Sequence, residues 1–131
     1  MPDSRPAGNV TALLHAGLLV SDLARAKSFY ESVLGLTPYP NRPDLPYPGA
    51  WYDLGGGQQL HLMQLANPDA DSARPEHGGR DRHIALGVSD MTALKGRLDA
   101  AGVNYSVSKS GRAALFCRDP DRNTLEFVEV G

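Results

Sequence analysis

The sequence predicts an α+β fold, two βαβββ modules in one domain, and three observations carry that prediction. A phrase occurs twice: His15-Ala-Gly-Leu-Leu-Val20-Ser21-Asp22 and His83-Ile-Ala-Leu-Gly-Val88-Ser89-Asp90 keep the same offset from His to Val-Ser-Asp. Each phrase runs into a stretch of helical periodicity that stops at a glycine, Gly35 in the first copy and Gly102 in the second. Each copy then closes on a strand-like segment with one metal-ligating side chain in its middle. These are His61 in Gln59-Leu-His-Leu-Met63 and Glu126 in Thr124-Leu-Glu-Phe-Val128. The domain spans 12–131, with module 1 over about 12–65, a linker over 66–82 and module 2 over about 83–130. Residues 1–11 read as a loose leader.

In module 1 the first strand covers Leu13 to Val20. Ser21 or Asp22 caps the helix after it, because a short side-chain oxygen accepts the free N–H groups of a first turn. Leu23, Ala26, Tyr30, Val33 and Leu34 recur at helical spacing, and Gly35 suits the left-handed position that ends a helix. Five prolines between Pro38 and Pro48 make that stretch an extended loop or edge segment. Strands follow at Ala50–Leu54 and Gln58–Leu65 around Gly55-Gly-Gly57. The linker is rich in Asp, Pro, Gly and Arg, and its His77 reads as surface. In module 2 the helix carries Met91, Leu94, Leu98 and Ala101, weakened by Gly96 by ~1 kcal/mol relative to alanine. Strands are expected near Asn104–Ser108, Ala113–Cys117 and Thr124–Val130, with a turn at Asp119-Pro-Asp-Arg-Asn123.

Composition narrows the partners. The net charge of −2 gives no electrostatic case for nucleic acid or an anionic membrane. No apolar run approaches the ~20 residues that span a bilayer, and Met1-Pro-Asp-Ser-Arg-Pro lacks the apolar centre of a signal peptide, so the expected location is cytoplasmic. The single cysteine, Cys117, has no partner for an internal disulfide and reads as a small buried hydrophobe.

Residues two apart in a strand share a face. The His15 face therefore carries Gly17, and the His83 face carries Ala85 and Gly87, so both histidines border open volume. The opposite faces, Ala16, Leu18, Val20 and Ile84, Leu86, Val88, are apolar surfaces for helices. Glu126, between Leu125 and Phe127, is a costly buried acid unless paired or metal-bound. Three histidines and one acid at equivalent places in two repeats, His15, His61, His83 and Glu126, predict four ligands meeting near a pseudo-twofold axis. Imidazole with one carboxylate suits Zn, Ni, Co, Fe or Mn, so the cofactor expected is one divalent metal ion of unspecified identity. Gln59, Trp51 and Arg112 are candidate substrate contacts. Arg80, Arg82 and Lys109 join Arg112 as candidate anion contacts at the mouth.

The pattern resembles the vicinal oxygen chelate superfamily of glyoxalases, bleomycin-resistance proteins and extradiol dioxygenases. The resemblance rests on His15 with Val20-Ser-Asp-Leu-Ala-Arg-Ala-Lys-Ser-Phe-Tyr30, Val33-Leu-Gly-Leu36, Arg82-His-Ile-Ala-Leu-Gly-Val88, and Asp119-Pro-Asp121 with Leu125-Glu-Phe127. It implies a curled mixed sheet around a metal, with His15, His61, His83 and Glu126 on the four ligand places and Glu126 able to act as catalytic base. It also implies a small-molecule substrate and a homodimer in which the site lies within one chain or is shared between two. The polar residues with which glyoxalase I holds glutathione are replaced by Leu19 and Leu65. The function so implied is a metal-dependent glyoxalase-like lyase or isomerase of a small oxygenated metabolite, independent of glutathione. The alternatives are a metal-dependent dioxygenase and a drug-sequestering protein of the bleomycin-resistance type.

Overall fold

A computed structural model describes residues 8–131, so the leader's residues 1–7 lie outside the described residues. Seven strands and two α-helices follow in the order β1 (His15–Val20), α1 (Leu23–Lys27), β2 (Gly49–Gly55), β3 (Gln58–Gln64), β4 (His83–Val88), α2 (Met91–Ala100), β5 (Tyr105–Val107), β6 (Ala114–Arg118) and β7 (Thr124–Glu129). They form two mixed sheets, β1-β3-β2 and β4-β7-β6-β5. In each sheet the first strand of the module pairs in parallel with its last. The fourth strand expected of module 1 is reduced to one bridge, Pro38 to Tyr52. The prolines after Pro38 lack the N–H groups a longer ladder needs.

Helix starts repeat as closely as strands. Asp22 accepts from the Arg25 N–H at 3.2 Å and Asp90 from the Ala93 N–H at 3.0 Å. The last residue of each closing strand adds a second cap: Gln64 Oε1 accepts from Leu23 N–H, and Glu129 Oε2 from Met91 N–H, both at 2.8 Å. The first helix departs from the simple expectation. After Lys27 it widens into a π-helical stretch, Ser28–Val33, in which Leu34 N–H donates to Phe29 C=O. The wider turn lets the consecutive residues Phe29 and Tyr30 both point inward, at 5% and 0% exposure.

One core joins the modules. Val20, Ala26, Phe29, Tyr30, Leu60 and Leu62 from the first pack with Leu94, Leu98, Leu115, Leu125 and Phe127 from the second. Cys117 lies in it as expected, its thiol pushed up to about 12 by burial and then by Asp119. Polar contacts stitch the same seam. Tyr30 Oη donates to the buried Asp119 Oδ2 at 2.7 Å, Asn123 Nδ2 donates to Leu19 C=O at 3.0 Å, and Ser21 Oγ donates to Asp121 Oδ1 at 2.6 Å. Burial raises the Asp119 pKa, and the bonds from Asn123 and Tyr30 work against that rise. The linker is also more ordered than its composition suggests. Asp81 accepts from Arg74 Nε at 2.7 Å, from Arg118 Nη1 at 2.7 Å and from Thr124 Oγ1 at 3.0 Å. The Arg74 bond above all holds the Asp81 carboxyl far below the usual carboxylate range. Among the described residues no helix is long and apolar enough to cross a membrane.

Tyr30→Phe keeps the ring in the core but strips Asp119 of one donor. We expect a loss of ~1–2 kcal/mol in urea unfolding, the cost of a buried hydrogen bond to a charged acceptor. An unchanged midpoint would show that this bond does not hold the modules together.

Candidate metal centre

Strand register places the predicted ligands as two pairs. In module 1, His61 lies across from Gly17 on β1 and from Trp51 on β2, while His15 lies across from Gln59. In module 2, Glu126 lies across from Ala85 on β4 and from Phe116 on β6, while His83 lies across from Thr124. The repeat seen in the sequence is therefore a repeat in space: His15 matches His83, His61 matches Glu126, and Trp51 matches Phe116.

In the first pair the rings of His15 and His61 stack with centroids 4.1 Å apart, and Trp51 covers the other face of His61 at 3.9 Å and 1°. Gly17 leaves room on the same face, since a Cβ there would lie 3.1 Å from the Met63 methyl. His61 is 8% exposed. Burial first, then the neighbouring His15 and Arg42, lowers its pKa, so its imidazole is neutral and keeps a lone pair. Its Nε2 lies 2.9 Å from Gln59 Oε1. A cleft of about 430 Å³ opens here, lined by His15, Trp51, Gln59, His61, Met63 and Tyr47.

In the second pair His83 Nε2 lies 3.4 Å from Glu126 Oε1. His83 Nδ1 lies 2.8 Å from the Asp81 C=O, which only accepts, so Nδ1 carries a proton. On a neutral ring Nε2 then presents a lone pair to a carboxylate oxygen, an arrangement that a shared proton or a cation relieves. Arg112 Nη2 donates to the other oxygen, Oε2, at 2.6 Å. Phe116 meets the His83 ring edge-on at 5.6 Å. Glu126 is buried at 5%, whereas His15 and His83 are exposed.

The three candidate substrate contacts, Gln59, Trp51 and Arg112, all fall against these pairs. The other candidate anion contacts do not: Arg82 is paired with Asp69 at 2.8 Å, while Arg80 and Lys109 are exposed on the 3-10 turn and the loop after β5. His77 is not simple surface, because its Nδ1 accepts from Gly79 N–H at 3.0 Å and its ring rests 5.2 Å from Phe116. Sequence reasoning missed Asp81, which orients His83 through its backbone, and Phe116, which the repeat itself marks as the counterpart of Trp51. It also missed Tyr47 and Arg42, which sit in the proline-crowded loop with no periodic pattern to flag them. Within one chain the pairs stay apart: among the described residues no group of three or more His, Cys, Asp or Glu side chains is placed to hold a metal ion.

Residues 12–127 match the sequence profile of the Glyoxalase/Bleomycin resistance protein/Dioxygenase superfamily. The chain belongs to that superfamily. It is 33% identical over 125 residues to a lactoylglutathione lyase of Haemophilus influenzae, covering 89% of this chain and 91% of that protein. Among solved structures it is similar to the trypanothione-dependent glyoxalase I of Leishmania major, with 25% identity, a TM-score of 0.68, and coverage of 92% of this chain and 87% of that one. It shares the fold of a fosfomycin resistance protein from Listeria monocytogenes that was crystallised with Mn(II) and a dihydroxypropylphosphonic acid. That match has 17% identity, a TM-score of 0.70, and coverage of 93% and 94%.

Proposed function

We propose that this chain is a metal-dependent, glyoxalase-like lyase or isomerase of a small oxygenated metabolite. Its site is completed between two copies, with His15 and His61 from one and His83 and Glu126 from the other. The observation that carries this reading is the pair of half-sites at matching register, each with an exposed histidine beside a buried second ligand candidate and neither sufficient alone. The donor set fits a divalent cation such as Zn, Ni, Co, Fe or Mn. The His83 Nδ1–H held on a backbone carbonyl is the support that metal-bound imidazoles use to fix ring and tautomer. The metal-bound fosfomycin resistance protein of the same fold and the lyase relative point the same way.

A divalent ion bound there would draw charge from two oxygens of a chelating substrate and stabilise the negative charge that develops on them. The protein's own groups supply the proton chemistry. Glu126 sits with Oε2 held by Arg112, which leaves Oε1 to take a proton from the carbon beside the substrate's carbonyl and return it to the neighbouring carbon. Trp51 and Tyr47 wall the cleft against water, and Gln59 offers an amide to a substrate oxygen. Apolar Leu19 and Leu65 do not provide the polar contacts that a charged tripeptide thiol needs, so the activity is independent of glutathione.

Elemental analysis of protein purified without tag or chelator should find about one transition metal per chain, as one filled four-ligand site requires. Trp51, the only tryptophan, reports the same event, because stripping and restoring Ni(II) or Co(II) beside His61 should quench its fluorescence reversibly. No metal, and no quenching in the His61-containing protein, would refute the metal reading. Glu126→Gln should keep measurable metal but lower turnover by ~100-fold or more once a substrate is found, the usual size of a general-base contribution. Full turnover would assign the base elsewhere. Conversion of S-lactoylglutathione, the compound for which the Haemophilus relative is named, at rates matching any other substrate would overturn glutathione independence.

A further inference from the structure

Arg42 is a cation held on Tyr47 at the rim of the proposed centre, and among the described residues it has no acid of its own. It lies in the proline-crowded loop, half-buried, and its Nη2 donates to the Tyr47 C=O at 2.9 Å. Its guanidinium sits 5.6 Å over the Tyr47 ring, and Tyr47 lines the cleft with His15, Trp51 and His61. The loop makes deliberate room for it. Gly49 is on the same strand face as Trp51, and a Cβ there would clash with the Leu62 C=O and lie 2.9 Å from Arg42 Nη2. A side chain at 49 would run into the Leu62 backbone and push the tip of Arg42 aside.

Two further facts set Arg42 apart from a solvated surface charge. Its Nε is buried and has no hydrogen-bond partner, which in a folded protein asks for an explanation such as a bound ligand or water. Among the described residues no carboxylate comes within salt-bridge distance of it, although Asp44 is close in sequence and Asp53 shares the sheet face. The acid of the centre, Glu126, is already matched by Arg112 at 2.6 Å. A divalent ion held there, an Arg112-matched carboxylate and the guanidinium of Arg42 would add to a strongly positive site, and such a site concentrates anions.

We propose that Arg42 selects an anionic substrate, a small oxygenated metabolite with a carboxylate next to the oxygens that bind the metal. This rests on the metal reading above and narrows it to 2-oxo and 2-hydroxy acids and their relatives over neutral aldehydes, ketones and alcohols. The guanidinium, clamped by Tyr47 and admitted by Gly49, sets which ligands bind and takes no part in the proton transfer.

The test uses oxalate and oxamate, two chelators of the same shape that differ by one negative charge. They are titrated against metal-loaded wild type, Arg42→Lys and Arg42→Met, with Trp51 fluorescence as the readout. Arg42→Met should weaken oxalate about tenfold and oxamate about threefold or less, within the range of one partly buried charge pair. Arg42→Lys should recover part of the loss, and this also controls for folding of the Met variant. Equal losses for both chelators, or none for either, would overturn the role of Arg42. If wild type takes up no metal, the proposal falls with the metal reading on which it stands; if it takes up metal but binds neither chelator, the proposal falls by itself. Binding of both in wild type with equal losses in the Met variant traces the fault to Arg42 alone.

Discussion

Everything chemical in this molecule depends on the parallel pairing of the first and last strands of each module. Side chains alternate along a strand, so one slipped residue would turn His61 or Glu126 from the open face into the core. The register that sets His61 across from Gly17 also sets Glu126 across from Ala85. A small residue therefore faces each closing-strand ligand, and space is left where a larger neighbour would fill it. The helix caps enforce that register. Gln64 and Glu129, at the ends of β3 and β7, each bond the first helical N–H after the opening strand, so strand pairing and helix start fix one another.

Polarity across the sheets follows from the same alternation. One face of β1 and β4 carries Leu18, Val20, Leu86 and Val88 into or against the common core, while the other carries His15, Gly17, His83, Ala85 and Gly87 at exposed positions. The core is anchored by the Tyr30–Asp119 bond, and the linker by Asp81 with Arg74 and Arg118. The carboxylates of Asp119 and Asp81 are hydrogen-bonded, and Asp81 also fixes the His83 ring through its backbone carbonyl. The ligand-bearing faces, by contrast, hold partly used donors. His61 is shared with Gln59, Glu126 with Arg112, and the His83–Glu126 contact is long at 3.4 Å. A metal ion supplied with the second pair of another copy would complete both.

How much was legible in the sequence follows from what carries periodicity. The strand-helix-strand repeat, the helix starts and the strand positions of the four predicted ligands were readable because strand alternation, capping residues and the repeated His-to-Asp phrase are local signals. The placement of Trp51, Gln59 and Arg112 against the predicted ligands was readable for the same reason, through position on a strand face or next to one. The missing strand of module 1 showed only as a proline-rich stretch. The π-helical widening at Ser28–Val33 left no trace, since two adjacent buried aromatics contradict simple helical spacing and only packing resolves them. Asp81, Tyr47 and Arg42 were invisible because they act from loops, through backbone groups or long-range charge, where spacing carries no meaning. The separation of the four predicted ligands into two pairs was equally beyond reach, because a pattern along one chain cannot distinguish a pseudo-twofold axis within that chain from the twofold axis of a dimer.

The central claim is that each pair completes the other across two copies, and mixing two defective variants tests it. His61→Ala and Glu126→Ala are each purified as metal-poor protein, then combined, allowed to exchange subunits, and assayed for bound metal. A shared site regenerates one wild-type centre in each mixed dimer, so metal content should rise on mixing to about a quarter of the wild-type value, given random exchange of subunits in a twofold assembly. A mixture that binds no more metal than its two components, after exchange has been demonstrated, would contradict the account and place any such centre within a single chain.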